Sequence, residues 1–334
     1  MDYSDSLDKI YERVGFKEIK RIKFSEKSGY FVILGEYLGE KVVLRTTPVF
    51  DQGKISKLTR EYQFSLHAEE FNRNSNKKIS HARVLLTDSD SVLFWSIRQF
   101  LDSKTLGEDV DHDKEVLHNF DLIRSEFIDH SSDLVNSIVQ NIELIKMMKK
   151  NNLLPKEVDY GLFTKRLHED LSKYDIPKIE KLLSVNLSKQ ASFYNLSKEQ
   201  YFADNNLSVV MGDLIPANII VSNDKNITLF DFEWACVDNY QFDLTYLWLY
   251  LWRYENWQKD LGQYILKNHQ DQTFFQLSVI RQLIAWFNDA LLTKDSSELE
   301  RITTFYKKHK WLKYLKVAGS STGEFLKIAS SGDA

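Results

Sequence analysis

A change of hydrophobic period near residue 101 constrains this 334-residue chain more than any other feature. Upstream of it, short apolar runs alternate with turns. Ile19-Lys20-Arg21-Ile22-Lys23-Phe24 precedes the turn Ser25-Glu26-Lys27-Ser28-Gly29, and Tyr30-Phe31-Val32-Ile33-Leu34 follows. Tyr37-Leu38-Gly39-Glu40 then turns the chain into Lys41-Val42-Val43-Leu44-Arg45-Thr46. Aromatic and β-branched runs separated by such turns predict a meander. After Pro48 and Gly53 the steps lengthen: Ile55, Leu58, Tyr62 and Leu66 recur at three and four residue steps and predict an amphipathic helix. Two more strands, His81 to Leu86 and Val92 to Phe100, flank Thr87-Asp88-Ser89-Asp90-Ser91. Beyond about Asp109 the period becomes helical through Val116, Phe120, Ile123 and Phe127, and again through Val135, Ile138, Ile142 and Ile145. A β-like island at 207–230 interrupts it, helices resume to about Leu315, and 317–334 reads as a weakly structured tail.

Composition narrows the function classes. The 44 Lys and Arg against 48 Asp and Glu leave a net charge of −4, without the basic excess expected of a nucleic-acid binder. A single cysteine, Cys236, excludes a disulfide framework or Cys-based zinc site and fits a reducing compartment. The first residues show no secretory signal, and no run reaches the length of a membrane span. The expectation is a cytoplasmic globular protein without nucleic-acid partners or stable membrane insertion. At 43% hydrophobic residues, its length suits one large or two medium domains.

The island carries the chemistry: Met211-Gly212-Asp213-Leu214-Ile215-Pro216-Ala217-Asn218, then Asp231-Phe232-Glu233. An Asp followed five residues later by an Asn has the spacing of a kinase catalytic loop, and a third carboxylate after a short hairpin has that of the metal-binding Asp. Asp213 is suited to accept the proton of an attacking hydroxyl. Asn218 and Asp231 are oxygen donors of the kind Mg²⁺ takes. The bland reading of the Asp–Asn pair is a loop closed by Asx turns, with Asp231 as a cap.

The segment from Met211 to Val221 resembles the H-G-D-x-x-P-x-N motif of the aminoglycoside phosphotransferase and choline kinase superfamily. Asp231-Phe232-Glu233-Trp234-Ala235, continuing to Asp243-Leu244, resembles that family's D-[FW]-E-x-A…D-L-A segment, and Val43-Leu44-Arg45-Thr46-Thr47-Pro48 with Arg60-Glu61 resembles its V-L-R-x-x-P strand and helix start. The resemblance implies an α+β, protein-kinase-like bilobal fold, with a five-stranded lobe and one helix (1–101) over a mainly helical lobe (102–316). It also implies an ATP- and Mg²⁺-dependent phosphotransferase acting on a hydroxyl of a small molecule. By the same likeness Asp213 is the base, Asn218 and Asp231 are the metal ligands, Arg45 is the phosphate-binding strand residue and Glu61 its partner. Gln99, Phe100 and Leu101 are then the hinge that meets adenine. Ser25, Ser28 and Gly29 lie in the loop over the phosphates.

Arg45 stands where the family commonly has Lys, and two further features depart from that pattern: Met211 stands where the family has His, and the phosphate loop has one glycine. They motivate a competing reading, a nucleotide-binding pseudokinase acting as a scaffold or regulator. A protein kinase is a third reading, and it lacks an A-P-E after Asp231. The aromatics Tyr240, Tyr246, Trp248, Tyr250, Trp252, Tyr254 and Trp257 read either as a cage for a quaternary ammonium or as core. The basic stretch Lys307 to Lys316 reads as a membrane- or anion-facing surface or as a solvated helix face. No histidine spacing suggests zinc. The acceptor candidates are an aminoglycoside-like or other sugar, choline or ethanolamine, and an envelope-glycan precursor.

Overall fold

The computed structural model describes residues 3–26, 29–107, 122–150, 175–183, 188–267, 269–293, 300 and 303–304. The periodic segment at Val116 and Phe120, the basic stretch at 307–316 and the tail at 317–334 lie outside them.

The first lobe opens on a helix, α1 (Tyr3–Val14), that the strand reading of this region did not include. Tyr3, Leu7 and Ile10 repeat at helical spacing and are buried. Strands β1 (Lys17–Ser25), β2 (Tyr30–Tyr37) and β3 (Glu40–Pro48) follow, then helix α2 (Gln52–Asn74), β4 (Val84–Ser89) and β5 (Leu93–Gln99). They form one antiparallel sheet in the order β1-β2-β3-β5-β4. The order of three strands, one helix and two strands is thus observed. The fourth strand is displaced: His81 makes only an isolated bridge to Leu229, and pairing with β5 starts at Val84.

The central strand β3 is buried from Val42 to Pro48 because both faces of the sheet are covered. Side chains alternate across a strand. Leu44 therefore packs with Phe31, Ile33, Trp95 and the apolar side of α1, while Arg45 points to the opposite face and meets α2. Asp51 caps α2 by accepting a hydrogen bond from the Lys54 N–H (3.1 Å). The buried face of α2 is Leu58, Glu61, Phe64, Ser65, Ala68 and Phe71, whereas Leu66 is 47% exposed. The helix is as the spacing predicts, but its inward face is rotated. Phe64, Ala68 and Phe71 belong to the core of the helical lobe, so α2 joins the two lobes.

The second part contains β6 (Lys104–Thr105), α3 (Ser131–Lys150), α4 (Ile176–Leu183), α5 (Ser188–Tyr201), β7 (Leu207–Val210), β8 (Ile219–Val221), β9 (Ile227–Leu229) and β10 (Cys236–Asn239). Helices α6 (Phe242–Tyr250), α7 (Glu255–Ile265) and α8 (His269–Thr293) close it. Two small sheets, β7-β10 and β6-β8-β9, sit among the helices and carry the loops of interest at their ends. Strand β6 already belongs to this second framework, because it pairs with β8. The result is an α+β bilobal architecture.

Candidate active site

The loop after β7 is fixed by one buried carboxylate. Asp243, in the first turn of α6, accepts hydrogen bonds from the backbone N–H groups of Met211 (2.7 Å) and Gly212 (2.9 Å). Burial raises the Asp243 pKa to about 6, against the pull of those two N–H donors. Gly212 has φ of 81°, a left-handed conformation that costs glycine little. Met211 is fully buried in the helical-lobe core, so the thioether fills space at the position where a His would stand.

Asp213 follows, and Pro216-Ala217-Asn218 forms a single 3₁₀ turn with Pro at its start. The Asn218 side-chain NH₂ donates to the Asp213 carbonyl (2.9 Å) and carboxylate (3.1 Å). Gly107 closes on this turn: its N–H donates to the Pro216 carbonyl (2.9 Å), and a Cβ there would lie 2.8 Å from the Ala217 nitrogen. The β8–β9 hairpin returns the chain, and the Phe230 N–H donates to the Asn218 carbonyl (3.2 Å). Asp231 is therefore brought beside the Asp213–Asn218 turn, as the spacing predicts. It adopts φ of 66°, strained for a non-glycine residue at a cost of about 1 kcal/mol. Phe232 stacks flat on Phe64 of α2 with ring centroids 3.7 Å apart, which anchors the strained turn to the helix.

From the other lobe, Arg45 reaches the same turn. Its guanidinium donates to Glu61 (3.0 Å), Asp231 (3.3 Å) and Glu233 (3.1 Å). Burial disfavours its charge, but Glu61, Asp231, Tyr30 and Glu233 outweigh that and hold its pKa well above the ordinary arginine value. Glu61 also accepts from Arg98 (3.1 Å), and Glu233 from Lys57 (2.9 Å). Arg60 donates to the Glu233 carbonyl (2.8 Å). The expected Arg45–Glu61 pair is present. Glu233, Arg98, Arg60 and Lys57 were not anticipated in this network, because nothing in their local spacing links them to residue 45.

Beside this network lies a cleft of about 410 Å³ lined by Lys23, Ser25, Tyr30, Arg45, Lys54, Lys57, Leu58 and Glu233. Ser25 and Gly29 frame its loop, and Ser28 lies outside the described residues. Gly29 has φ of 65°. Its N–H donates to the Glu26 carbonyl (3.3 Å), and its carbonyl accepts from the Thr46 hydroxyl (3.1 Å). At the hinge, the Gln99 N–H donates to the Arg83 carbonyl (2.8 Å) and the Phe100 N–H to the Lys41 carbonyl (3.1 Å). Among the described residues, Leu101 keeps the hinge N–H that makes no backbone bond.

The aromatic segment divides. Trp248 and Trp257 are buried and donate to the backbone carbonyls of Gln258 (3.1 Å) and Ile128 (2.9 Å), and Trp252 is also buried. Tyr254 accepts from the Ile123 N–H (2.9 Å), and Tyr240 donates to Asp271. These are core roles. Tyr246 and Tyr250 instead pack on Trp286 of α8 while partly exposed. Cys236 and His81 are buried, and burial lowers the His81 pKa. Among the described residues, no group of three or more His, Cys, Asp or Glu is placed to hold a metal ion, and no helix is long and apolar enough to cross a membrane.

A five-stranded sheet with one helix packed on a helical lobe, joined where Arg45 meets Asp231, defines a kinase-like architecture. Residues 165–293 match the family model described as the phosphotransferase enzyme family (APH). The fold is similar to aminoglycoside phosphotransferase APH(4)-Ia in ternary complex with ADP and hygromycin B. That match has a TM-score of 0.58 and 10% identity, over 94% of this chain and 99% of the other. It is similar also to the GDP complex of aminoglycoside 2'-phosphotransferase-IIIa, with a TM-score of 0.57 and 13% identity, over 92% of this chain and 98% of the other. At these identities the likeness is one of fold. No curated protein sequence matches the chain. Both likenesses point the same way as the motifs, the family model over residues 165–293 and the solved structures in fold.

Proposed function

We propose that the chain transfers the terminal phosphoryl group of ATP, with Mg²⁺, to a hydroxyl of a small molecule in the cytoplasm. Residues 1–101 and 102–316 serve as the two lobes around the cleft. The observation that carries this reading is the meeting of Arg45 from the sheet with Asp231, next to a turn in which Asn218 holds Asp213. Asp213 accepts the proton of the attacking hydroxyl, and the Asn218 amide fixes its orientation, which is worth more than basicity in a reaction governed by positioning.

Asn218 and Asp231 would hold Mg²⁺. Both offer hard oxygen donors, and the Asn218 amide nitrogen is already turned to Asp213, so its oxygen is the atom left for an ion. When bound, the ion neutralises phosphate charge. Arg45 keeps its charge throughout and aligns the inner phosphates. The hinge reads the base through the Leu101 N–H and the neighbouring carbonyls.

The phosphotransferases of similar fold were crystallised with hygromycin B or kanamycin, which makes aminoglycosides and related polyols the first acceptors to try. Choline, ethanolamine and glycan precursors come next. A coupled assay of ADP release across these acceptors tests the reading. Acceptor-dependent release that disappears in Asp213→Asn supports it. Nucleotide binding without release for any acceptor favours the pseudokinase reading instead.

A further inference from the structure

Resting on that reading, we propose that Lys23 and Lys54 are the side chains that grip the outer phosphates of the nucleotide. Four cationic side chains and a single carboxylate line the cleft. The charge of Arg45 is already balanced by Glu61, Asp231 and Glu233, and that of Lys57 by Glu233. Lys23, near the end of β1, forms no ion pair among the described residues. Lys54, in the first turn of α2, pairs only with Asp51 (3.1 Å). The two come from different elements yet converge on one ring: their Nζ atoms lie 5.1 and 5.3 Å from the Tyr30 centroid. Both side chains line the cleft, and a polyanion bound there gains attraction from each.

The loop strengthens the assignment. Its only glycine spends its N–H on Glu26 and its carbonyl on Thr46, so it has no spare donor for a ligand. The ligand chemistry is therefore a nucleoside di- or triphosphate recognised mainly through charge. Binding should weaken with salt more steeply than amide-based recognition would.

The test is calorimetry with ADP, GDP, inorganic tripolyphosphate, adenosine and guanosine on the wild-type chain, the K23A/K54A variant and the K23R/K54R variant. The proposal expects the alanine variant to bind the preferred nucleotide and tripolyphosphate at least tenfold more weakly than wild type. It also expects the matching nucleoside to bind unchanged, the arginine variant to retain phosphate affinity, and the salt dependence to flatten in the alanine variant. Unchanged nucleotide affinity in the alanine variant would overturn this assignment and leave the phosphotransferase reading standing. An equal loss of nucleoside affinity would overturn it too, by showing that the lysines do not act on phosphate. A wild-type chain that binds neither nucleotide nor tripolyphosphate would overturn the proposed function itself.

Discussion

Two regions of the cleft are built on opposite principles. The Asp213 turn draws Met211, Asp213, Asn218 and Asp231 from one short stretch and fixes them mainly with local bonds, among them those from Asp243. The charged wall opposite draws Lys23, Arg45, Lys54, Lys57 and Glu233 from separate elements, with Arg45, Lys57 and Glu233 held to one another by charge. The first arrangement gives the fixed geometry that the proposed proton transfer to Asp213 calls for. The second gives a network of opposite charges, three carboxylates around Arg45 with Arg98 and Lys57 beyond them, which holds the buried guanidinium in its charged form.

The largest effect should come from the turn. Asp213→Asn keeps shape and hydrogen-bond size but removes the proton acceptor. Acceptor-dependent kcat should fall about 10²–10⁴-fold with nucleotide Kd unchanged. Steady-state kinetics with calorimetry separates the two quantities. A loss of less than tenfold would mean that geometry, not proton acceptance, is what the turn supplies.

The wall should instead show itself in stability. Arg45→Met leaves Glu61 buried with Arg98 alone, removes the Arg45 partner of Asp231 and leaves Glu233 to Lys57, which should cost about 3–5 kcal/mol in urea unfolding. Arg45→Lys should cost less, because one ammonium replaces the charge but not the three-way fork. A midpoint shift equivalent to less than about 1 kcal/mol for Arg45→Met would erase the contrast between the regions.

Asp243 links geometry to pH, and its two effects have opposite signs. Its folded pKa, about 6, lies above the ordinary 3.8. Its contribution to stability is therefore greatest below pH 4 and is lost as pH rises through 6, by roughly 3 kcal/mol. Catalysis needs the ionised form, because a protonated carboxyl has one oxygen less able to accept from the Met211 and Gly212 N–H groups. The expected result is that kcat falls below about pH 6 while the wild type gains stability relative to Asp243→Asn. A pH-independent difference in unfolding free energy between the two proteins would contradict this.

Legibility in the sequence followed the same divide. The turn was readable because its residues are five and thirteen positions apart and a hairpin lies between them, so spacing alone specifies proximity. The order of strands and helix in the first lobe was readable from the change of period. The wall was not readable beyond Arg45 and Glu61: Glu233 and Arg45 are far apart in sequence, and only the docking of the lobes brings them together. Helix α1 was missed for a different reason. Tyr3, Leu7 and Ile10 carry the signal, but so near a chain end it was weighed only as a possible leader.

The face of α2 is the remaining place where spacing misled, and it gives the smallest prediction. Ile55, Leu58, Tyr62 and Leu66 repeat as a helical stripe, yet the helix turns Glu61, Phe64 and Phe71 inward. Two demands outside the helix explain the rotation: Arg45 needs a carboxylate at position 61, and Phe232 needs a ring to stack on at position 64. Leu58 satisfies both the stripe and the true face, while Leu66 falls outside. Leu66→Gln should therefore change unfolding free energy by no more than about 0.5 kcal/mol. Phe64→Ala, on the face the site selects, should cost about 3–5 kcal/mol. If Leu66→Gln were the more damaging of the two, α2 would be packed by its apolar stripe. The coupling of the sheet to the Asp231 turn through Phe64 would then fail with it.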